Sequence, residues 1–123
     1  KYFGNAYTDA GYETYCSYKV KNAPHWIYKN CNVKDEDEFG KYGIDNRGLS
    51  GDEMDKINDN SPKNSILLAK GNNPDNGGEE IVIIENKNNA ILSFGSIACG
   101  SGLYKDKVFT QMIVNFMSKY YQK

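Results

Sequence analysis

The hydrophobic pattern is clearest in the last third of the chain, where two short apolar runs precede a helical stripe. Residues 81–84 and Ala90–Phe94 are short runs of β-branched or mainly apolar side chains, and the Asn-rich segment 86–89 between them suits a tight turn. We therefore predict a buried β-hairpin. From residue 107 the apolar positions recur every three or four residues, which indicates an amphipathic helix. Its stripe comprises Val108, Phe109, Met112, Ile113, Phe116, Met117 and Tyr120.

Earlier in the chain, two stretches alternate as strands do. Residues 12–20 place one set of side chains on the inward face, and Pro24 then breaks the chain before a second alternating stretch, 25–33. These two stretches are expected to pair as a hairpin, and residues 65–69 add another core strand. The inward set comprises Tyr12, Thr14, Cys16, Tyr18 and Val20.

A local helix signal lies in the middle of the chain. Ser50 and Glu53 have the spacing of a capping box, and Leu49 and Met54 have the spacing of a hydrophobic staple. A short helix to about Asn58 is predicted. The expected fold class is α+β: residues 1–123 form a single domain with an antiparallel sheet of about four or five strands. The C-terminal amphipathic helix packs on one face of that sheet.

The positions of the cysteines suggest where in or outside the cell the protein is located. If stretches 12–20 and 25–33 pair, Cys16 and Cys31 face each other, and a disulfide between them would close a loop of about 15 residues. Such a bridge implies an oxidising, extracytoplasmic location, periplasmic or secreted. The first residue is Lys1, which fits either a removed signal peptide or a removed tag. The alternative is a cytosolic protein with three reduced thiols.

Charge and composition limit the classes of partner that the protein is expected to bind. The formal net charge is −1 and the 15 basic residues are scattered, which argues against nucleic acid as a partner. The sequence has no apolar stretch long enough to span a bilayer, so no membrane insertion is expected.

Two features point to a protein partner. Trp26 and Tyr28 fall on the less apolar face of the predicted strand 25–33, where they would be exposed anchors. Alternatively, another element, such as the first ten residues, covers them. An acidic run follows, and it either steers a basic partner or is a solvated loop. This run comprises Asp35, Glu36, Asp37 and Glu38.

Catalytic signals are sparse. His25 is the single histidine, and Cys99 lies in a Gly-rich corner between a strand and a helix, where it either packs or is a nucleophile. No phosphate-binding loop, dinucleotide fingerprint, CxxC motif or zinc-ligand spacing is present. No catalytic residue, metal or cofactor is therefore assigned.

These features favour a small secreted or periplasmic binding module. The leading hypothesis is an inhibitor or immunity-type protein that blocks a partner protein, such as a basic enzyme or toxin. A second hypothesis is a small hydrolase or nuclease that uses His25 with Glu13 or Glu53 as acid and base. A third is a structural subunit of a surface appendage.

Overall fold

A five-stranded antiparallel sheet forms the centre of the molecule. The computed structural model describes residues 4–8, 11 and 13–121. Tyr12, which was predicted on the inward face, lies outside these residues. Within the described residues the strands are β1 Ala6–Thr8, β2 Tyr15–Cys16, β3 Tyr18–Val20, β4 Glu38–Phe39, β5 Ser50–Gly51, β6 Met54–Lys56, β7 Ser65–Gly71, β8 Glu80–Glu85 and β9 Ala90–Phe94. The main sheet has the order β4-β3-β7-β8-β9, and two small pairs, β1-β6 and β2-β5, lie outside it.

The predicted hairpin is confirmed as β8 and β9, and the predicted strand 65–69 is confirmed as β7. Strand β8 carries four consecutive apolar residues because both of its faces are covered. Ile81 and Ile83 belong to the main core, whereas Val82 and Ile84 face the chain around Gly4. Side chains alternate between the two faces of a strand, so each pair belongs to its own face.

The C-terminal helix is also confirmed, as α1, Lys107–Tyr120. Its N-cap is Asp106, whose side chain accepts the Phe109 N–H at 2.8 Å. Phe109 and Met112 are buried in the core, and the Phe109 ring meets Phe94 edge to face at 5.2 Å between centroids. Met117 is exposed, so the buried stripe is narrower than predicted. No helix among the described residues is long and apolar enough to cross a membrane.

The predicted short helix from Ser50 is wrong. Ser50–Gly51 pairs with Tyr15–Cys16, and β6 pairs with β1. The Ser50 hydroxyl lies in the core instead of capping a helix, and Asp52 has a positive φ of 64°, which no helix interior tolerates. Long-range strand pairing therefore prevails over the local capping signal.

The predicted strand 25–33 is wrong as well. Its first part is a 3-10 helix, Trp26–Tyr28, because the His25 imidazole accepts the Ile27 N–H as an N-cap. Asn30 and Asn32 then take positive φ, which ends any extended run. The neighbours of β3 are β4 and β7, as the pairing register shows. The inward placement of Tyr18 and Val20 is nevertheless confirmed, since both are fully buried.

The docking of α1 can be tested by cavity formation. Met112→Ala should lower the free energy of unfolding by about 2–5 kcal/mol, because the side chain is completely buried. Val114→Ala on the same helix is the control; that side chain is 48% exposed, and its loss should change stability by no more than about 0.5 kcal/mol. Urea unfolding followed by the fluorescence of Trp26, the single tryptophan, measures both. Equal midpoints for the two variants would contradict this docking.

Candidate functional site

A thiol, a carboxyl group and a phenol meet in the core, where they form what we call the buried network. Cys99 lies in a second 3-10 helix, Ile97–Gly102, and its Sγ donates to Glu79 Oε1 at 3.0 Å. The Tyr18 hydroxyl lies 2.9 Å from the same sulfur and donates to the Leu49 carbonyl at 3.2 Å. Glu79 directly precedes β8, so the strand that fixes the core also places this carboxyl group.

Small polar side chains complete the buried network. The Ser50 hydroxyl donates to Asn73 Oδ1 at 2.6 Å and accepts the Glu79 N–H at 3.2 Å. Asn73 donates in turn to the Ser50 carbonyl at 2.9 Å. The Ser96 hydroxyl accepts the Gly51 N–H at 3.0 Å. These bonds explain why Ser50 can be buried, since its hydroxyl and carbonyl groups are satisfied by the β7–β8 connection.

Burial decides the protonation states of this network. Desolvation raises the pKa of Glu79 to about 8, although the Cys99 thiol and the Gly95 N–H oppose the rise. Burial and the neighbouring Glu79 raise the pKa of the Cys99 thiol well above its ordinary value. Glu79 Oε2 has no hydrogen-bond partner among the described residues. At neutral pH the pair is therefore an uncharged acid beside an uncharged thiol, and neither group is a ready base or nucleophile.

A second polar group, which we call the Glu85 cluster, lies at the other end of β8. Glu85 Oε1 accepts the Trp26 indole N–H at 2.8 Å, and Oε2 lies 3.0 Å from His25 Nε2. The Lys119 ammonium and the Tyr120 hydroxyl each approach Oε1 to 3.3 Å. Burial opposes ionisation, but the hydrogen bonds from Trp26, His25 and Lys119 lower the pKa of Glu85. The cluster therefore ties the first 3-10 helix and the end of α1 to β8.

The histidine is engaged in this cluster. Its Nδ1 accepts the Ile27 N–H at 3.1 Å, which leaves the hydrogen on Nε2 to be donated to Glu85. Glu13 and Glu53, its predicted acid–base partners, are exposed, and Glu85 is the carboxylate that His25 meets. Cys99 contacts Tyr18 and Glu79, so the structure does not pair it with His25.

The predicted exposure of the aromatic pair is wrong. Tyr28 is only 5% exposed, and its hydroxyl donates to the Leu68 carbonyl. Trp26 is half-buried, and its ring meets Tyr120 at 6.1 Å while the Lys119 ammonium lies 4.0 Å from the ring centroid. The alternative interpretation, that another element covers the pair, therefore agrees better with the structure. Helix α1 is part of that cover. Trp26 also lines an open groove of about 560 Å³ between the first 3-10 helix and α1.

The acidic run makes local contacts beside β3. Asp35 accepts the Ala23 N–H at 2.6 Å and Asp37 accepts the Lys34 N–H at 3.0 Å. Glu36 pairs with Lys21 and Lys19, and Glu38 accepts the Ser17 hydroxyl at 3.0 Å. Asp35, Glu36 and Glu38 therefore contact residues 17–23, and the Asp37 contact lies within the turn before β4. Steering of a partner by this run stays a prediction.

The predicted Cys16–Cys31 disulfide is wrong. All three cysteines are free thiols. Cys16 lies in β2, whereas Cys31 follows the first 3-10 helix and its sulfur lies 3.9 Å from the Val108 carbonyl on α1. Because residues 25–33 do not pair with 12–20, the two thiols do not face each other. The extracytoplasmic location loses this support and stays a prediction.

Sequence reasoning missed the two glutamates that organise the polar groups. Glu79 and Glu85 flank the apolar run of β8, and charged residues at strand ends are ordinarily solvated. No spacing or motif distinguishes them from the exposed acidic residues. Among the described residues, no group of three or more His, Cys, Asp or Glu side chains is arranged to hold a metal ion.

The raised pKa of Glu79 predicts a dependence of stability on pH. Between the ordinary value of 4.5 and about 8, the folded state holds a proton that the unfolded state has released, so the free energy of unfolding should fall as pH rises. The loss is at most a few kcal/mol. Glu79→Gln removes the titrating group and should flatten this slope in urea titrations at pH 5, 6, 7 and 8. The exposed-site variant Glu53→Gln should keep the wild-type slope; a Glu79→Gln slope equal to wild type would refute the prediction.

The Glu85 cluster predicts a loss of stability on truncation. Glu85→Ala leaves the Trp26 and His25 N–H groups without their acceptor, which should cost about 1–3 kcal/mol and shift the Trp26 emission. Glu36→Ala, which removes an exposed ion pair with Lys21, is the matched control and should change neither stability nor emission appreciably. If the two variants unfold at the same urea concentration, the cluster does not stabilise the fold.

Comparison with known proteins assigns the family. Residues 1–111 match the family described as N,N-dimethylformamidase beta subunit-like, C-terminal. No curated protein matches the sequence. The matched family is one of enzyme subunits, so the predicted inhibitor or immunity function is wrong. Because the match covers all nine strands and the first turn of α1, the chain belongs to the family of N,N-dimethylformamidase beta subunit-like C-terminal domains.

Proposed function

We propose that this chain is the C-terminal domain of an enzyme subunit whose complex hydrolyses the amide C–N bond of a small formamide. The observation that carries this proposal is the family match over residues 1–111. That family is named after a formamidase subunit, and membership of it brings the reaction class and the subunit role to this chain as proposals. The partner is then a companion subunit of the same enzyme, in place of the basic enzyme or toxin first expected.

The polar groups favour a supporting role over catalysis by this chain alone. Amide hydrolysis needs an activated nucleophile at the carbonyl carbon and a proton for the leaving amine. Cys99 and Glu79 are both sealed in the core, and burial raises the pKa of each. His25 is held as a hydrogen-bond donor to Glu85. The reacting groups are therefore expected from the companion subunit or from another part of the enzyme.

An exposed apolar surface, which we call the apolar edge, fits the companion subunit. The Ile44 N–H donates to the Ser101 carbonyl at 2.9 Å, which holds the 41–48 loop against the second 3-10 helix. Tyr104 is 90% exposed and has a positive φ of 64°, a strained backbone for a bulky residue. Large apolar side chains in water at one edge favour a protein contact. The apolar edge comprises Ile44, Ile97, Leu103 and Tyr104.

The proposal is tested on the native complex. The chain is tagged at its C-terminus, expressed in its source organism and purified at low salt. The release of dimethylamine from N,N-dimethylformamide is then followed by proton NMR. We expect release by the complex, and release by the isolated chain no faster than the buffer blank. A complex that hydrolyses neither N,N-dimethylformamide nor formamide would refute the reaction, and a chain that purifies without a stoichiometric companion would refute the subunit role.

Shortening side chains of the apolar edge tests directly whether this surface binds the companion subunit. The double variant Ile44→Ala, Ile97→Ala removes two side chains that are each 70% exposed, so the fold should be unaffected, while the companion subunit should be retained at least about tenfold less well. Val114→Ala, also exposed but on α1, should retain the companion as wild type does. Size-exclusion chromatography of the tagged complex measures both. Equal retention by the two variants would place the interface elsewhere.

A further inference from the structure

A cleft of about 510 Å³ lies between β2 and the 41–48 loop, and it shares no residue with the buried network or the Glu85 cluster. Of its lining residues, sequence reasoning singled out only Cys16 and Glu38. Two tyrosine rings, two cationic side chains and two amides dominate its lining, and we call it the Arg47 cleft. These six residues are Tyr15, Lys41, Tyr42, Asn46, Arg47 and Asn72.

Backbone packing builds one wall of the Arg47 cleft. Gly48 lies so close to β2 that a Cβ atom there would stand 2.4 Å from the Cys16 carbonyl carbon, so only glycine allows the loop to close on the strand. Tyr15 is opposite Gly51 in the β2-β5 pair, and its hydroxyl donates to Asp52. The Tyr15 ring is therefore held at both ends.

The loop holds Arg47 in place over that ring. The Gly43 N–H donates to the Arg47 carbonyl at 2.7 Å, and the Arg47 N–H donates to Asp45 Oδ1 at 3.1 Å. The Asn46 N–H donates to the Gly43 carbonyl at 3.0 Å, which closes a tight turn. The guanidinium carbon then lies 4.7 Å from the centroid of the Tyr15 ring, within the range of a cation–π contact.

The charges in the Arg47 cleft are unbalanced. Arg47 is the single arginine of the sequence, and the nearest carboxylate oxygen among the described residues is Asp45 Oδ2, at 3.9 Å from Nε. Lys41 makes no ion pair within the described part of the chain, and its ammonium lies 5.6 Å from the Tyr42 ring centroid. Glu38 also lines the cleft, but it accepts the Ser17 hydroxyl. Two cations therefore line the cleft with one carboxylate, Glu38, while Asp45 lies outside the lining and meets Arg47 at 3.9 Å.

We propose that the Arg47 cleft binds a carboxylate carried on an aromatic group. The planar guanidinium of Arg47 suits two parallel hydrogen bonds to a carboxylate, and Lys41 adds a second positive charge. The Tyr42 ring, which is exposed and lines the cleft, offers a face on which an aromatic group stacks. The same ligand chemistry comes from a free aromatic acid or from the C-terminal aromatic residue of a protein. This inference is independent of the proposed formamidase role.

The test is a titration of the ¹⁵N-labelled chain, with benzoate as the probe. Benzoate should bind saturably and shift the Arg47 Nε–H and the Tyr15 resonances. Benzamide, which keeps the ring and loses the charge, and acetate, which keeps the charge and loses the ring, should each bind at least about tenfold more weakly. If benzamide binds as tightly as benzoate, or if no ligand saturates, the proposal is refuted.

Variants assign the binding to the cleft. Arg47→Ala should weaken benzoate binding at least about tenfold, and Arg47→Lys should recover only part of it, because an ammonium lacks the planar fork. Tyr42→Ala should also weaken binding, whereas Lys63→Ala, at an exposed lysine outside the cleft, should leave it unchanged. Unaltered amide spectra elsewhere verify the fold of each variant. Benzoate binding by Arg47→Ala with wild-type affinity would overturn the assignment.

A final comparison distinguishes the two sources of the ligand. N-acetylphenylalanine and a pentapeptide ending in phenylalanine are titrated beside benzoate, each with its C-terminal amide as the control. Tighter binding of the pentapeptide than of both small acids supports the C-terminus of a protein as the ligand, and the reverse order supports a free aromatic acid. Binding of the amides equal to that of the free acids would refute the carboxylate requirement.

Discussion

Strand β8 is buried on both faces, and the rest of the molecule is arranged around that constraint. Ile81 and Ile83 contribute to the core that α1 covers, while Val82 and Ile84 face the segment around Gly4. Burying four such side chains contributes about 6–12 kcal/mol before conformational entropy is subtracted. Glu79 lies just before β8 and Glu85 directly follows the apolar run, so the burial of one strand also fixes both polar groups of the interior.

Glu79, which directly precedes β8, and Glu85, at the end of β8, have carboxyl groups in opposite protonation states. Glu79 accepts a hydrogen bond from the Cys99 thiol and pairs with no cation among the described residues, so desolvation dominates and its pKa rises. Glu85 meets an indole N–H, an imidazole and the Lys119 ammonium, so its pKa falls. The first arrangement is an uncharged network that is buried in the core. The second is a set of charged hydrogen bonds that links the first 3-10 helix to α1. Both arrangements support a stable scaffold, which agrees with the proposed role as one domain of an enzyme subunit.

The surface features are separate from this interior. The Arg47 cleft depends on a tight turn, a glycine contact and a tyrosine held by Asp52, and the apolar edge depends on the contact between Ile44 and Ser101. The 41–48 loop contributes to both, because one side of it faces β2 and the other faces the second 3-10 helix. A ligand in the cleft and a companion subunit on the edge would therefore contact the same loop from two sides.

The sequence by itself determined the α+β class, the β8-β9 hairpin, strand β7 and helix α1, because the strands are short apolar runs bounded by turn residues and the helix has a clear helical period. It did not determine the secondary structure of the middle of the chain. The Ser50 capping signal and the alternation of residues 25–33 are local patterns of small free energy, and strand pairing and the His25 cap outweigh them. The sites were decided by the tertiary structure alone, since Glu79 and Cys99, Glu85 and Trp26, and Tyr15 and Arg47 each meet across 20 to 59 residues. Burial and charge at such positions depend on which distant elements pack together, and no local period encodes that.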